Sequence, residues 1–523
     1  MSPRRMIVLL TALLVVVLTA ASCTTAPSAP QGTAVGAVPS PELQRFYAQQ
    51  LSWGGCEPFA VVATDRRAFA NKAFDCAYLD VPLDYGDVEA RTIQLAVLRQ
   101  KAKTSSMRIG SLVFNPGGPG VSGTSSLPSL ANAIGDGQLA QRFDLVGFDP
   151  RGVGSSKPAI RCLTPAEHDA QRLDLDVDTS PPGVEQTEKE NREYAERCAA
   201  RTGPEVLAAV GTREVAKDLD ILRAALGEPK LSYVGYSYGT RIGYTYAEMF
   251  GANVRAMVLD GALDPNQSVV DRLVAQSRGF QGAFDAFARW CAQRPCPLGQ
   301  NPATAPAAYQ ALVRPLIDKP ARSADGRQLS YPDAITGTVQ ALYSQQLWDT
   351  LLVAITNLAG GDGSLLLRLG DFYEGRAADG SYANTLEAFT AIGCVDDPPI
   401  TDPAQLLEAD KRSREVAPFR DDGRAPAGIR DPCAFWPVPP TGQAHQPTVT
   451  GLPQILVISV TGDPATPYQA GVQLASAIGA RLLTVEGNQH TVALQGKKCV
   501  DDIVTNYVVN LALPVSNTTC RSE

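Results

Sequence analysis

The sequence predicts an α/β protein: a mostly parallel, eight-stranded sheet flanked by helices, with a large helical insertion. In residues 74–264 and again in 448–523, short apolar runs alternate with helical patterns, as expected for an open sheet. The runs at 111–115 and 143–148 are largely apolar throughout, which is typical of strands that are buried on both faces. Residues 265–447 instead show helical patterns separated by loops that are rich in proline and glycine.

These patterns divide the chain into a core and an insertion. Residues 51–264 and 448–523 are expected to form the two parts of one α/β core, and residues 265–447 a helical lid. Thr212 is expected to cap a helix that ends at Gly227, because threonine favours the start of helices and glycine their end. The predicted strands are 74–81, 92–98, 111–115, 143–148, 231–234, 255–259, 454–460 and 481–485.

The first residues resemble an export signal. Two arginines precede an uncharged apolar run at residues 6–21, which is short for a membrane span. Small residues stand directly before Cys23, as in a bacterial lipobox, although alanine replaces the usual leucine three positions earlier. Residues 1–22 are therefore predicted to be a signal peptide and residues 23–50 a flexible tether, lipidated at Cys23 and held at the cell membrane. The alternative is an ordinary secretory signal and a secreted product.

Charge and cysteine content exclude several classes of function. The net charge is -8, and no basic stripe is present, so nucleic acid is not an expected partner. Without Cys23, ten cysteines remain, and an even number in an exported protein indicates disulfides. Pairing neighbours along the sequence would give five bridges, although the sequence does not prove this connectivity. Cys291 and Cys296 resemble half a metal site, but no second cysteine pair or histidine lies nearby, so no metal or cofactor is predicted.

The most informative motif is Gly-Tyr-Ser-Tyr-Gly at residues 235–239. It follows the predicted strand 231–234 and precedes a helical pattern at 240–250, which is the strand–turn–helix context of a nucleophile elbow. The turn is so tight that the positions two before and two after the serine need glycine. Ser237 is therefore the predicted nucleophile, placed at a helix N-terminus that favours developing negative charge.

The search for a general base is short because the chain has three histidines. His490 follows the last predicted strand, and loops at the carboxyl ends of parallel strands carry the functional groups of open α/β sheets. The chain order serine, acid, histidine also requires the base to come last. His490 is therefore the predicted base, and His168 and His445 are expected to be solvated surface residues.

The acid that orients the histidine has two candidates. Asp463 lies just after the predicted strand 454–460, in a loop that two prolines restrict, which suits a fixed carboxylate. Asp260 lies at the end of the preceding strand and is the rival. We favour Asp463, with Asp260 as a structural carboxylate. Thr466 is placed to hydrogen-bond near Asp463 or simply to stabilise the turn.

A glycine-rich turn at residues 115–120 is the candidate oxyanion hole. It follows a strand, and glycines let backbone N–H groups approach a ligand closely. Gly118 is the preferred donor, with Gly117 as the open alternative, and the Tyr238 N–H would be the second donor. The turn lacks the spacing of phosphate-binding glycine loops. Residues 149–152 cap the next strand and are expected to brace the loops.

Together these motifs resemble those of a known family. Asn-Pro-Gly-Gly-Pro-Gly at 115–120, Asp-Pro-Arg-Gly at 149–152, Gly-Tyr-Ser-Tyr-Gly-Thr at 235–240, Thr-Gly-Asp at 461–463 and Gln-His at 489–490 look like the actinobacterial tripeptidyl-aminopeptidase-like α/β-hydrolases, which are related to prolyl aminopeptidases. The resemblance runs from about residue 75 to the C-terminus. The mycobacterial cell-envelope members, lipoproteins described as proteases or carboxylesterases, are similar in layout.

The resemblance implies a serine exopeptidase that releases short peptides, such as tripeptides, from N-termini. Prolyl aminopeptidases usually begin the oxyanion loop with histidine where this chain has asparagine, so the resemblance does not extend to proline specificity. An aminopeptidase needs a carboxylate that binds the substrate ammonium. The insertion offers Asp371, Glu374, Asp396 and Asp397, and Asp396 is preferred because its surroundings resemble a recurring family segment. Surface carboxylates that keep the lid soluble are the alternative.

Two other functions remain open at this point. An esterase would use the same serine, histidine and aspartate on acyl esters, so the motifs do not separate it from a peptidase. A catalytically inactive hydrolase domain that binds a partner at the cell envelope is disfavoured by the complete set of three residues.

Overall fold

The computed structural model describes residues 41–176 and 178–522. The predicted signal peptide (residues 1–22) and the lipidation site Cys23 lie outside the described residues. Within the described ranges, no helix combines the length and the apolar character that crossing a membrane requires.

A twisted sheet forms the centre of the molecule. Its nine strands, counted over the described residues, are arranged in the order β1-β2-β4-β3-β5-β6-β9-β10-β11. A separate two-stranded ribbon, β7-β8, belongs to the insertion. The strands are β1 (Phe74–Pro82), β2 (Thr92–Gln100), β3 (Gly110–Asn115), β4 (Phe143–Phe148), β5 (Leu231–Tyr236), β6 (Val254–Asp260), β7 (Ala321–Arg322), β8 (Gln328–Leu329), β9 (Leu456–Val460), β10 (Arg481–Glu486) and β11 (Thr519–Arg521).

The sheet is mostly parallel, as the sequence predicts. β1 pairs with β2, and β2 with β4, in antiparallel register, whereas all other neighbours are parallel. All eight predicted strands are present, and the sheet has a ninth, β11. This strand has three residues and pairs with β10 at the sheet edge, so it has no apolar run from which it could be predicted.

Helices cover both faces of the sheet and form the insertion. Those of the core are α1 (Gln44–Tyr47), α2 (Ala63–Phe69), α3 (Gly123–Ile134), α4 (Gln138–Arg142), α5 (Pro165–Gln171), α6 (Pro181–Thr202), α7 (Pro204–Ala208), α8 (Thr212–Ala225) and α9 (Tyr238–Phe250) before the insertion, and α17 (Tyr468–Ala477) and α18 (Lys498–Asn510) after it. Between β6 and β9 lie α10 (Val269–Cys291), α11 (Ala305–Val313), α12 (Tyr331–Leu342), α13 (Trp348–Ala359), α14 (Ser364–Glu374), α15 (Thr385–Asp396) and α16 (Pro403–Val416).

Burial explains why these segments fold together. The central strands β3, β4 and β5 are buried along their whole length, as expected for strands covered on both faces. One apolar cluster lies on each face of the sheet, and a third, centred on aromatic residues such as Phe284 and Phe419, lies within the insertion. The insertion therefore has an apolar core of its own.

Five disulfides join neighbouring cysteines along the sequence, which confirms the predicted disulfide framework. They are Cys56–Cys76, Cys162–Cys198, Cys291–Cys296, Cys394–Cys433 and Cys499–Cys520. Cys291 and Cys296 are therefore not metal ligands.

The prediction of a flexible tether over residues 23–50 is wrong for its last ten residues. Residues 41–43 form a 3-10 turn, and α1 follows directly. Phe46 is buried with 3% of its surface exposed, and it belongs to the apolar cluster on one face of the sheet. Phe46 packs this segment against the core, and hydrogen bonds from Tyr47 to Asp220 and between Gln49 and the Asp80 backbone fasten it further. The predicted tether extends over this segment because these partners are far away in the chain. The rest of the tether lies outside the described residues.

Arg151, from the motif at residues 149–152, is a buried brace between loops. Its guanidinium donates to both carboxylate oxygens of Asp218, at 2.7 and 2.6 Å. It also donates to the carbonyls of Pro82, Leu83 and Ala209, so all five of its N–H groups are hydrogen-bonded. Arg151 and Asp218 are 1% and 0% exposed, so the loss of one partner would leave an unpaired charge in the core.

We predict that Arg151→Ala lowers the free energy of unfolding by about 3–5 kcal/mol, because Asp218 would stay buried without its partner. The measurement is chemical denaturation of the disulfide-bonded protein. Lys498→Ala is the matched control, since the Lys498–Asp502 pair is largely exposed and should contribute less than about 1 kcal/mol. Equal effects of the two substitutions would contradict the prediction.

Candidate active site

Ser237 lies in the tight turn between β5 and α9. Its backbone is in the positive-φ region (φ 54°, ψ −122°), which is strained for a residue other than glycine. Its N–H donates to the Asp260 carbonyl at 2.9 Å, one residue beyond the β5–β6 ladder. A Cβ atom on Gly235 would lie 2.4 Å from the Gly239 carbonyl oxygen, and one on Gly239 would lie 2.8 Å from the Asn115 carbonyl oxygen. The two glycines are thus needed for the turn that presents Ser237.

His490 and Asp463 meet at the carboxyl ends of β9 and β10. Nδ1 of His490 is 2.9 Å from each carboxylate oxygen of Asp463, which is 3% exposed. Asp463 also accepts the N–H groups of Ala465 and Thr466, both at 2.9 Å, and the Thr466 hydroxyl at 3.0 Å. The Thr466 hydroxyl is also 3.3 Å from Nδ1 of His490. The carboxylate is thereby held in one orientation against the ring.

Asp260, the rival acid, has a different contact. One of its carboxylate oxygens accepts the N–H groups of Val492 and Ala493, each at 2.7 Å, in the loop after His490. His490 lies close to this position, because a Cβ on Gly261 would be 3.2 Å from its ring carbon Cε1. The structure therefore pairs Asp463 with the histidine ring and Asp260 with the histidine loop.

Two opposing effects set the pKa of His490. Burial disfavours the charged ring, but the charge and hydrogen bond of Asp463 outweigh burial, so the pKa lies above its ordinary value. The charge of Asp260 acts in the same direction. An imidazole that must be neutral to accept a proton would therefore lose function as the pH falls through this raised pKa.

The loop at residues 115–120 packs against the elbow. A Cβ on Gly117 would lie 2.4 Å from the Tyr236 carbonyl oxygen and 2.9 Å from Cβ of Ser237, so only glycine fits. The Gly117 N–H donates to the side chain of Asn115 at 3.0 Å, which occupies it. Gly118, in contrast, lines the cavity beside Ser237 and Tyr238. Tyr238 begins α9, and the first N–H groups of a helix have no partner within it.

A cavity of about 290 Å³ lies in front of Ser237, between the core and the insertion. Its walls include apolar side chains, among them Leu273, Phe389 and Ile400. The acidic residues Asp396, Asp397 and Asp431 also line it, together with Arg241 and Arg272. A substrate at Ser237 would therefore meet both apolar and acidic groups that the insertion supplies.

Asp396 lies at the end of α15 and is 3% exposed. Its carboxylate accepts the Thr212 N–H at 2.6 Å and the Thr212 hydroxyl. The expected role of Thr212 as a helix cap is therefore wrong: α8 begins at Thr212, and the hydroxyl contacts Asp396 and Tyr238 instead. Nε of Arg241 lies 3.8 Å from this carboxylate, within ion-pair distance, and the Arg241 guanidinium also donates to the Asp396 carbonyl at 2.9 Å. Burial raises the pKa of Asp396 above its ordinary value.

The other candidate carboxylates of the insertion are arranged differently. Asp397 receives two hydrogen bonds from Arg241, both at 3.0 Å, and one from Arg272 at 2.7 Å. Asp371 is paired with Arg172 and Arg327, outside the cavity lining. Glu374 also lies outside the lining, and burial raises its pKa to about 6.

The two remaining histidines lie away from Ser237. His445 is partly exposed and paired with Glu248 at 3.0 Å. The expectation of a solvated surface residue is wrong for His168, whose side chain is 12% exposed. Its ring stacks on Tyr382, and its Nε2 lies 3.4 Å from the Glu387 carboxylate. Both partners belong to the insertion, so the sequence near His168 gave no sign of this contact.

Sequence reasoning missed two residues of the cavity. The Tyr343 carbonyl accepts the His490 N–H at 2.7 Å, and its ring lies edge-on to the His490 ring, with 5.4 Å between centroids. Asp431 caps a short 3-10 helix and lies two residues before Cys433, whose disulfide to Cys394 ties it to α15. The Asp-Pro pair at 431–432 signals a helix start, but only the disulfide connects it with the cavity.

Comparison with known proteins agrees with this geometry. A family model described as alpha/beta hydrolase fold matches residues 110–497. This chain belongs to the α/β-hydrolase family. It is 47% identical over 457 residues to "Serine protease Hip1" of Mycobacterium tuberculosis, covering 85% of this chain and 87% of that protein. It is 44% identical over 476 residues to "Carboxylesterase B" of the same species, covering 90% of each chain.

A third relative, "Tripeptidyl aminopeptidase" of Streptomyces lividans, is 32% identical over 461 residues, covering 86% of this chain and 84% of that protein. The family resemblance inferred from the motifs is thereby confirmed, as is the α/β-hydrolase fold with its helical insertion. The chain is a serine hydrolase.

We predict that Gly117→Ala lowers kcat/KM for a short chromogenic ester by at least about a hundredfold, because a Cβ would push the loop at residues 115–120 away from the turn that presents Ser237. Gly227→Ala is the matched control: it also has positive φ (76°), but no atom lies within 4 Å of the added Cβ. The control should retain nearly wild-type activity. Similar losses in both variants would show that backbone strain, and not the contact with the elbow, is responsible.

We also predict that Asp463→Asn lowers the pKa of His490, because the main cause of its elevation is removed while burial remains. NMR titration of the ring resonances measures this directly, since the chain has three histidines. His445 is the internal control: the Gln443 carbonyl and Glu248 hold its pKa above the ordinary value, and neither changes in the variant. An unchanged His490 titration would contradict the assignment of Asp463.

Proposed function

We propose that this serine hydrolase is an exported aminopeptidase that releases short peptides, such as tripeptides, from the N-termini of peptides or proteins. Ser237 attacks the carbonyl carbon of the scissile bond, and His490 accepts the hydroxyl proton. The N–H groups of Gly118 and Tyr238 stabilise the oxyanion. His490 then protonates the leaving amine, and Asp463 orients the ring and stabilises its charged form. Water activated by His490 finally hydrolyses the acyl-enzyme.

The observation that carries the proposal is the acidic wall of the cavity in front of Ser237. A free N-terminus is an ammonium group, and its burial is unfavourable unless a carboxylate accepts it. Asp397 is already matched by two arginines. Asp396 accepts hydrogen bonds only from the N–H and hydroxyl of Thr212, and its ion pair with Nε of Arg241 is longer, at 3.8 Å, so its carboxylate is less fully neutralised than that of Asp397. We therefore assign Asp396 as the ammonium anchor, and a bound ammonium would favour its charged form.

The named relatives support a peptidase without fixing the substrate. One is called a serine protease and another a tripeptidyl aminopeptidase, and both align with most of this chain. The five disulfides favour export, because such bonds persist in oxidising compartments. We propose that the chain is anchored at the cell membrane through a lipid on Cys23.

Carboxylesterase activity is the second candidate function. Leu273, Phe389 and Ile400 line the same cavity, and an acyl chain would bury itself against them. The 44% identity to a protein named carboxylesterase B points the same way. The catalytic steps would be the same, with an alcohol as the leaving group.

The deciding experiment offers the purified enzyme three substrates: a free tripeptide amide with a chromophore, the same peptide with an acetylated N-terminus, and a short acyl ester. We expect cleavage of the free peptide at least about a hundredfold faster than of the acetylated one, because only the former carries the ammonium that Asp396 binds. Ser237→Ala should abolish all cleavage. Cleavage of the ester alone would establish the esterase instead.

The variant Asp396→Asn tests the anchor separately. It should raise KM for the free peptide about tenfold or more and leave ester cleavage unchanged, since only the peptide carries the charge. Thr212→Val is the matched control, because it removes the hydroxyl hydrogen bond to Asp396 but keeps the backbone one and the carboxylate. Asp431→Asn tests a further acid of the cavity. An effect of Asp431→Asn alone would move the anchor to Asp431, and equal cleavage of both peptides would refute the aminopeptidase.

A further inference from the structure

Asp260, the last residue of β6, contacts both sides of the active site. Its main-chain carbonyl accepts the N–H of Ser237 at 2.9 Å. One oxygen of its side chain accepts the N–H groups of Val492 and Ala493, both at 2.7 Å. The same residue therefore holds the nucleophile through its backbone and the loop of the histidine through its carboxylate.

The histidine loop needs such a contact because it turns sharply. Thr491 has a positive φ of 59°, which is strained for a β-branched residue. The two N–H groups that Asp260 accepts follow directly after this residue. On the other side of the loop, the N–H of His490 donates to the Tyr343 carbonyl at 2.7 Å. The loop that carries His490 is thus held on one side by the insertion and on the other by Asp260 at the end of β6.

The second oxygen of the Asp260 carboxylate is unusual. It is buried and has no hydrogen-bond partner in the part of the chain that the structure describes, and Asp260 as a whole is 0% exposed. The hydrogen bonds to the two N–H groups use only one oxygen, and leaving the other buried without a partner costs free energy. The contribution of Asp260 that these hydrogen bonds do not account for is its negative charge close to His490.

The titratable groups around Asp260 are few. Asp463 and His490 face it from the loops after β9 and β10, and Tyr236 faces it from β5. Asp501 of α18 acts on Tyr236. Burial raises the pKa of Asp260 to about 6, the two N–H groups and the charge of His490 lower it, and Asp463 raises it. His490 is the one cation in this set, so the charge of Asp260 favours the protonated form of its ring.

We propose that Asp260 is a positioning residue of the reaction: its carboxylate fixes the loop that presents His490 to Ser237, and its charge stabilises the imidazolium formed when His490 takes the serine proton. The proposal rests on the roles proposed above for Ser237 and His490. It applies to peptide and ester substrates alike, because it concerns the proton transfer and not the acyl group.

Two substitutions separate the two parts of this role. Asp260→Asn keeps an oxygen for the N–H groups of Val492 and Ala493 and replaces the charged carboxylate with a neutral amide. Asp260→Ala removes both the oxygen and the charge. The control is Asp501→Asn, because Asp501 holds the same loop farther along, through the N–H groups of Leu494 and Gly496, at 2.7 and 2.8 Å.

With a short p-nitrophenyl ester as substrate, we expect Asp260→Asn to lower kcat about three- to tenfold at unchanged KM. The acidic limb of its kcat/KM profile should shift to lower pH, because the charge that raises the pKa of His490 is gone. Its thermal stability at pH 8 should not fall, since a buried charge is removed and both hydrogen bonds remain. Asp260→Ala should lower kcat by at least about a hundredfold through loss of alignment. Asp501→Asn should leave kcat and the pH profile unchanged.

A wild-type kcat and an unshifted limb in Asp260→Asn would overturn the proposal, whatever becomes of Asp260→Ala. An Asp260→Asn protein that does not fold would also overturn it, since the residue would then be only a structural brace. Cleavage of the ester by Ser237→Ala would be a different result: it would refute the proposed nucleophile and not the contacts of Asp260.

Discussion

The hydrogen bond from the Ser237 N–H to the Asp260 carbonyl extends the β5–β6 ladder one residue beyond the strand. This hydrogen bond holds Ser237 in a strained backbone conformation with positive φ, and the loop at residues 115–120 packs against Ser237. Gly117 lies against the elbow without room for a Cβ, and its N–H is bound by Asn115. Asparagine at the start of this loop thus has a local role: it orders the turn that leaves Gly118 facing the cavity.

The insertion is fastened to α8 and to α9, the helix that follows the proposed nucleophile Ser237. Arg241 on α9, four residues after Ser237, donates two hydrogen bonds to Asp397 at the end of α15. Thr212 at the start of α8 binds Asp396, the residue before it. These contacts set the distance between the acidic wall of the cavity and the serine. Tyr343, just after α12, also holds the His490 N–H, so the insertion helps to position the proposed base.

Local signals in the sequence were enough for much of this site. The glycines around Ser237 reflect the backbone of a short segment, whereas the chain order of serine, aspartate and histidine and the even number of cysteines are read along the whole sequence without any knowledge of contacts. They predicted the elbow, the strands and the disulfides. The errors concern contacts between distant segments: Phe46 in the core, His168 beneath the insertion, and the three-residue strand β11 at the sheet edge. None of these has a periodic signal, because each depends on contacts with partners that are distant in the sequence.

The sequence by itself determined the fold class, the nucleophile elbow and the candidate residues Ser237, Asp463 and His490, because residue type and spacing constrain the backbone locally. Only the tertiary structure decided which aspartate contacts the imidazole and which of two adjacent glycines lines the cavity in front of Ser237. Asp260 ends β6 and Asp463 lies just after β9 in the same sheet, and two adjacent glycines have the same freedom. Which of them meets a given group depends on the packing of loops that are far apart in the chain, and no local pattern encodes that packing.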